Sequence, residues 1–141
     1  MRWPLTGRDA ELRLVGEALS SGSAGGVVIA GVAGVGKTRL AAEAAELAGA
    51  EGCAVEWVRA SGSARSIPLG AFATLLPATD RRLPEGAELL ARARQALAER
   101  AAGRRLVLCV DDGHLLDDAS AALVHQLVAA EEAFTVLDAA A

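Results

Sequence analysis

The chain has 141 residues, the length of one ordinary domain, and carries a formal net charge of −4. Hydrophobic residues make up 52% and aromatics only 3%, so its core has to be built mostly from Ala, Val and Leu. The acidic balance argues against a globally basic nucleic-acid binder, and no run of like charge marks an acidic or basic tail.

The N-terminus, MRWPLTGRDAEL, lacks the apolar h-region of a secretion signal, and no apolar run is long enough to span a bilayer. A soluble, cytoplasmic protein with no membrane contact is the expectation. Cys53 and Cys109 each sit in an apolar stretch and read as small buried thiols of a reducing compartment. Neither spacing nor neighbours suggest a metal site around them.

In chain order, 7–22 has Leu12, Val15, Ala18 and Leu19 at helical spacing, with Gly22 as a stop. VVIA (27–30), short, β-branched and bounded by glycines, reads as a buried strand. After a glycine loop, KTRLAAEAAELAG (37–49) is rich in good helix formers and ends at Gly49. CAVEWVRA (53–60) is a second strand. From 61 to 84 the text is irregular, with three prolines around the apolar patch IPLGAFATLL, and reads as a loop with a short helix. A helix follows over 85–103, stopped by Gly103, then the apolar strand RLVLCV (105–110). Asp117 or Asp118 can cap a helix through 119–132. AFTVL (133–137) is a fourth strand. Strands alternating with helices, each strand a nearly continuous apolar run, predict an α/β fold with a parallel sheet covered on both faces. No internal repeat is present.

The stretch GVAGVGKT holds the only lysine among 14 basic residues. Gly31, Gly36, Lys37 and Thr38 match G-x-x-x-x-G-K-[ST], with a strand before and a helix after, as a phosphate-binding loop requires. Glycines allow the backbone N–H groups of Gly31, Val32, Ala33, Gly34, Val35 and Gly36 to turn inward and approach a phosphate. The helix opening with Lys37, Thr38 and Arg39 adds the positive end of its dipole. Lys37 places a compact charge between the β- and γ-phosphates, where a forked guanidinium has the wrong shape. Thr38 offers a hydroxyl oxygen to Mg²⁺, a hard cation that takes oxygen ligands. A plain glycine-rich turn is the bland alternative.

The strand at 105–110 runs into Asp111–Asp112. An acidic residue at such a strand tip holds Mg²⁺ in a P-loop nucleotidase, and Asp111 is the residue placed for it. Asp112, one residue on, is placed to orient or deprotonate the attacking water. The alternative is a pair of solvated aspartates opening a turn before Gly113. His114 can line the site. His125, in an apolar helical stretch, reads as packed or at the surface. The pairs Arg81–Arg82 and Arg104–Arg105 read as solvated surface rather than a phosphate patch.

LTGRDAEL, GVAGVGKTRL and LVLCVDDGHLLDDAS together resemble the start of the nucleotide-binding domain of STAND-type P-loop ATPases, relatives of the AAA+ ATPases. The nearest likeness is to large bacterial LuxR-family transcriptional regulators, and SIPLGAFATLLP (66–77) resembles the segment those proteins carry between the Walker A loop and the Walker B acids. The resemblance implies a P-loop NTPase three-layer sandwich and ATP with Mg²⁺ as ligands. It implies a contact of Thr6, Gly7 and Arg8 with the adenine side of the nucleotide, with Asp9 where Glu is commoner. The family domain continues into a sensor residue at the tip of the fourth strand, a fifth strand and a helical lid, followed in regulators by helical repeats and a helix-turn-helix. The expectation is therefore a domain incomplete at its C-terminus over 1–141, without a DNA-binding element. LDAAA lacks the polar or Arg residue of a sensor, and the phosphate-loop strand lies at an open sheet edge.

Three readings stay open. The first is an ATP·Mg²⁺-binding nucleotide switch with slow or absent hydrolysis, by in-line attack of water on the γ-phosphate, since no arginine finger, sensor or lid can be named. The second is a non-enzymatic fragment with a remnant nucleotide site that self-associates or binds a protein partner through its open edge. The third is a small P-loop metabolite kinase. That one needs an arginine-rich lid, and 61–84 offers only Arg65, Arg81 and Arg82.

Overall fold

Strands and helices alternate along the chain in the computed structural model, which describes residues 13, 16, 17, 26–31, 37–63, 65, 68–73, 75 and 87–140. The elements are β1 (Gly26–Gly31), α1 (Lys37–Ala50), β2 (Ala54–Arg59), α2 (Ala87–Ala101), β3 (Leu106–Asp111), α3 (Asp118–Ala129) and β4 (Phe134–Ala140). Single 3-10 turns occur at Gly70–Phe72 and Gly113–Leu115. Arg13, Gly16 and Glu17 are helical, within the helix expected at 7–22. Among the described residues no helix is long and apolar enough to cross a membrane.

The four strands form one parallel sheet in the order β1-β4-β3-β2. The side-chain alternation of a strand divides the core in two. Val107 and Cys109 of β3 and Phe134 and Val136 of β4 pack against Leu40, Ala41, Ala44, Ala45 and Ala48 of α1. Leu106, Leu108 and Val110, on the other face of β3, pack against Leu97 of α2 and Leu123 and Leu127 of α3. The result is helix, sheet, helix: the three-layer sandwich expected. Each fully buried Leu or Phe here contributes roughly 1.5–3 kcal/mol. Cys109 is buried, as expected, and Cys53 is half-buried.

Among the described strands β1 pairs with β4 alone, so it lies at the edge of the described sheet. The approach of the two strands is close. A Cβ on Gly26 would lie 2.3 Å from the Thr135 carbonyl oxygen, so only glycine fits at that point of β1.

Most expected boundaries shift by a residue or two, and three of the shifts have a readable cause or consequence. α1 passes through Gly49 to Ala50, and the turn falls at Gly52, whose φ of 88° is the left-handed conformation glycine adopts freely. α3 ends at Ala129, short of 132. β4 does not stop at Leu137. Asp138, Ala139 and Ala140 are weak strand formers, yet their backbone continues the pairing with Ile29, Ala30 and Gly31. The pairing partner decided there, not the intrinsic propensity.

The irregular segment after β2 does hold a short helical turn. Leu69, Ala71, Phe72 and Leu75 are buried around it. Asp117 caps α3 as expected and also reaches this turn. Its carboxylate accepts from the Ser120 N–H (3.0 Å), the Ser120 hydroxyl and the Leu69 N–H (2.9 Å). Burial raises the carboxyl pKa of Asp117, but these hydrogen bonds outweigh it and hold the group below the usual carboxylate range.

Candidate phosphate and cation site

In open parallel sheets ligands bind beyond the C-terminal ends of the strands, and toward that end of this sheet Asp111, Asp112 and Asp138 lie together. Gly31 closes β1 and Lys37, Thr38 and Arg39 open α1, so a strand precedes the phosphate-loop motif and a helix follows it. Arg39 is exposed. Val32, Ala33, Gly34, Val35 and Gly36 lie outside the described residues, as do Thr6, Gly7 and Arg8.

Asp111 ends β3 and is buried. By alternation it shares the α1 face with Val107 and Cys109. Arg59 ends β2 directly opposite it in the pairing register, and its Nε lies 3.2 Å from Asp111 Oδ2. This pair spans 52 residues of sequence and had no signal in the sequence. Asp112 follows in the left-handed conformation, with φ 58° and ψ 48°, which Asp tolerates better than most residues. The turn carries its N–H to Asp138 Oδ1 at 2.9 Å.

Asp138 is the residue that sequence reasoning missed. Val110 pairs with Leu137, so Asp111 and Asp138 are the next residues along adjacent strands. Phe134 and Val136 face α1, and Asp138 continues their alternation. LDAAA thus does bring a polar residue to the acidic pair. The available signal was an aspartate directly after an apolar strand. Donor oxygens of Asp111, Asp112 and Asp138 all lie within 4.8 Å of one another. Asp138 is 1% exposed, and its Oδ2 is buried without a hydrogen-bond partner. Burial pushes its carboxyl pKa up to about 6; the Asp112 N–H opposes the shift, while a side-chain hydrogen bond with Asp111 and the charges of Asp111 and Asp112 add to it. Burial, and to a lesser degree Asp138, also pushes the Cys109 thiol up to about 12, so this cysteine is no nucleophile near neutral pH.

This donor set suits a hard divalent cation. Carboxylate oxygens are the ligands Mg²⁺ and Ca²⁺ prefer, and a buried carboxylate oxygen without a partner is the kind of atom a cation satisfies. His114 stands exposed in the turn after Asp112, and His125 is exposed on α3. Asp118 opens α3 as an exposed residue. Arg104 is exposed, and Arg105 lies over the Phe134 ring at 5.2 Å.

Residues 4–137 match the AAA ATPase domain. The chain belongs to that family. Its fold is that of several solved structures. Over 99% of the chain it is similar to the Aeropyrum pernix ORC2 protein in ADPNP–ADP complexes, with a TM-score of 0.64 and 17% identity. It is similar over 96% to a DNA replication initiation factor (TM-score 0.61, 19% identity). It is similar over 95% to the A. pernix ORC1 protein in complex with DNA (TM-score 0.61, 21% identity). This AAA ATPase domain spans 39–42% of the length of those chains. No curated protein sequence matches it. At these identities the likeness is one of fold.

Proposed function

We propose that this AAA ATPase domain binds ATP·Mg²⁺ and serves as the nucleotide switch of a STAND-type signalling ATPase akin to LuxR-family transcriptional regulators. The observation that carries the reading is the buried Asp111, grouped with Asp112 and Asp138 at the sheet end where β1 hands over to α1. The backbone of Gly31–Gly36 and the Lys37 ammonium take the phosphates, Thr38 and Asp111 hold the cation, and Thr6, Gly7 and Arg8 meet the adenine side. The cation, when bound, neutralises charge on the β- and γ-phosphate oxygens. Asp112 is the residue to orient water. In this reading hydrolysis, by in-line attack of water on the γ-phosphate, is slow or absent.

Titration of a fluorescent ATP analogue with Mg²⁺ into the chain and into Lys37→Ala tests the reading. Saturable binding that Lys37→Ala abolishes supports it. A folded wild-type chain that does not bind overturns it. The place of β1 at the edge of the described sheet favours a second reading, an interaction module that pairs with another chain through that edge. Association that rises with concentration and ignores nucleotide, seen by sedimentation, distinguishes it.

A further inference from the structure

We propose that Asp138, together with Asp111 and Asp112, forms a three-carboxylate site that takes a hard divalent cation in the absence of nucleotide. The proposal rests on the reading of Asp111 as a cation-holding residue, and is independent of whether the chain binds ATP.

Acidic groups at a protein surface are common, and water satisfies them. Asp138 is in a different situation. The residue is 1% exposed, one carboxyl oxygen accepts from the Asp112 N–H, and the other has no hydrogen-bond partner. Its neighbours at this end of the sheet are two further carboxyl groups. The Arg59 guanidinium reaches Asp111, but its side chain is 74% exposed, so it neutralises Asp111 from the solvent side and not from within the cluster. A carboxylate oxygen buried without a donor is costly unless something satisfies it. Among hard ligands a divalent cation does so and offsets the mutual repulsion of the three acids at once.

The spacing agrees. Two oxygens bound to one Ca²⁺ at about 2.4 Å each stand at most about 4.8 Å apart. The donor oxygens of all three residues lie within 4.8 Å of one another. One divalent cation can reach all three groups once their oxygens close in around it, with less movement for Ca²⁺ than for the smaller Mg²⁺. Asp111 ends β3, Asp112 opens the turn after it, and Asp138 lies in β4 alongside, so the backbone holds the three together.

The test is calorimetric titration of Ca²⁺, and separately of Mg²⁺, into the nucleotide-free 141-residue chain, into Asp138→Asn and into Asp112→Asn, with the fold of each checked by circular dichroism. Binding of one cation per chain by the wild type, weakened about tenfold or more in Asp138→Asn, is the expected result. Asp112→Asn gives the same weakening and carries the test if Asp138→Asn does not fold. Absence of binding of either cation by the folded wild type overturns the proposal, as does equal binding by wild type and variants. Nucleotide is left out of every titration. A chain that binds ATP·Mg²⁺ but no free cation therefore overturns this site and leaves the nucleotide reading standing. A chain that binds the cation alone and no ATP does the reverse.

Discussion

Asp117 and Asp138 are both buried carboxylates of this AAA ATPase domain, and the molecule treats them in opposite ways. Asp117 accepts from two backbone N–H groups and a hydroxyl, which hold it ionised and tie α3 to the turn at Gly70–Phe72. Asp138 accepts from one N–H, keeps one oxygen unpartnered, and faces two other acids. The first is satisfied by the chain itself and needs nothing further. The second keeps one buried oxygen that no donor of the described residues reaches. Burial alone therefore does not separate a structural carboxylate from a functional one; the count of donors that reach it does.

The sharpest way to break that contrast is to remove Asp117. Asp117→Ala strands the Leu69 and Ser120 donors and deletes the α3 cap, at a cost of about 2–4 kcal/mol. A fall in the urea midpoint with unchanged slope measures it. The acid side follows from the same hydrogen bonds. Because the folded-state pKa of Asp117 is depressed, its contribution is complete above its ordinary unfolded value, near pH 4, and is lost as pH falls through the folded value. Asp117→Asn is expected to flatten the loss of stability below about pH 4 relative to wild type.

Gly26→Ala puts a methyl group into the Thr135 carbonyl and forces β1 from β4, at about 1–3 kcal/mol. It also shifts the strand that carries Asp138, so cation binding weakens along with the thermal midpoint. Asp138→Asn retains an acceptor for the Asp112 N–H and removes one of three adjacent acids. Without a cation its stability stays within about 1 kcal/mol of wild type or rises, in contrast to Asp117. A large loss in cation-free denaturation removes the contrast between the two aspartates. Arg59→Gln is expected to have the smallest effect, under about 1 kcal/mol, because the pair is solvent-screened. The same change tightens Ca²⁺ binding modestly, since Asp111 Oδ2 loses a competing cation.

The contrast also marks what was readable in the sequence. Local signals were legible: the apolar run of β3, the helix stop before Gly103, and Asp117 as a cap. These depend on residues within a few positions of one another. The pairing of Arg59 with Asp111 and the meeting of Asp138 with Asp111 and Asp112 depend on which strands are neighbours and in what register, and periodicity does not encode that. Asp138 was hidden twice over. It lies past the end of the apolar pattern, and strand propensity argues against its element. It is paired into β4 because β1 runs alongside. The fold class was legible because alternation of strands and helices admits few layer architectures. The adenine-side residues Thr6, Gly7 and Arg8 rest on resemblance.

The claim that this end of the sheet is a nucleotide and cation site is tested most directly by thermal unfolding of the wild-type chain with ATP and Mg²⁺ together and with neither, alongside Lys37→Ala and Asp111→Asn. A ligand that binds only the folded state raises the midpoint by mass action. The account predicts a rise of several degrees for the wild type that is lost in both variants. A wild-type midpoint that ignores ATP·Mg²⁺, or a rise that survives both substitutions, contradicts it.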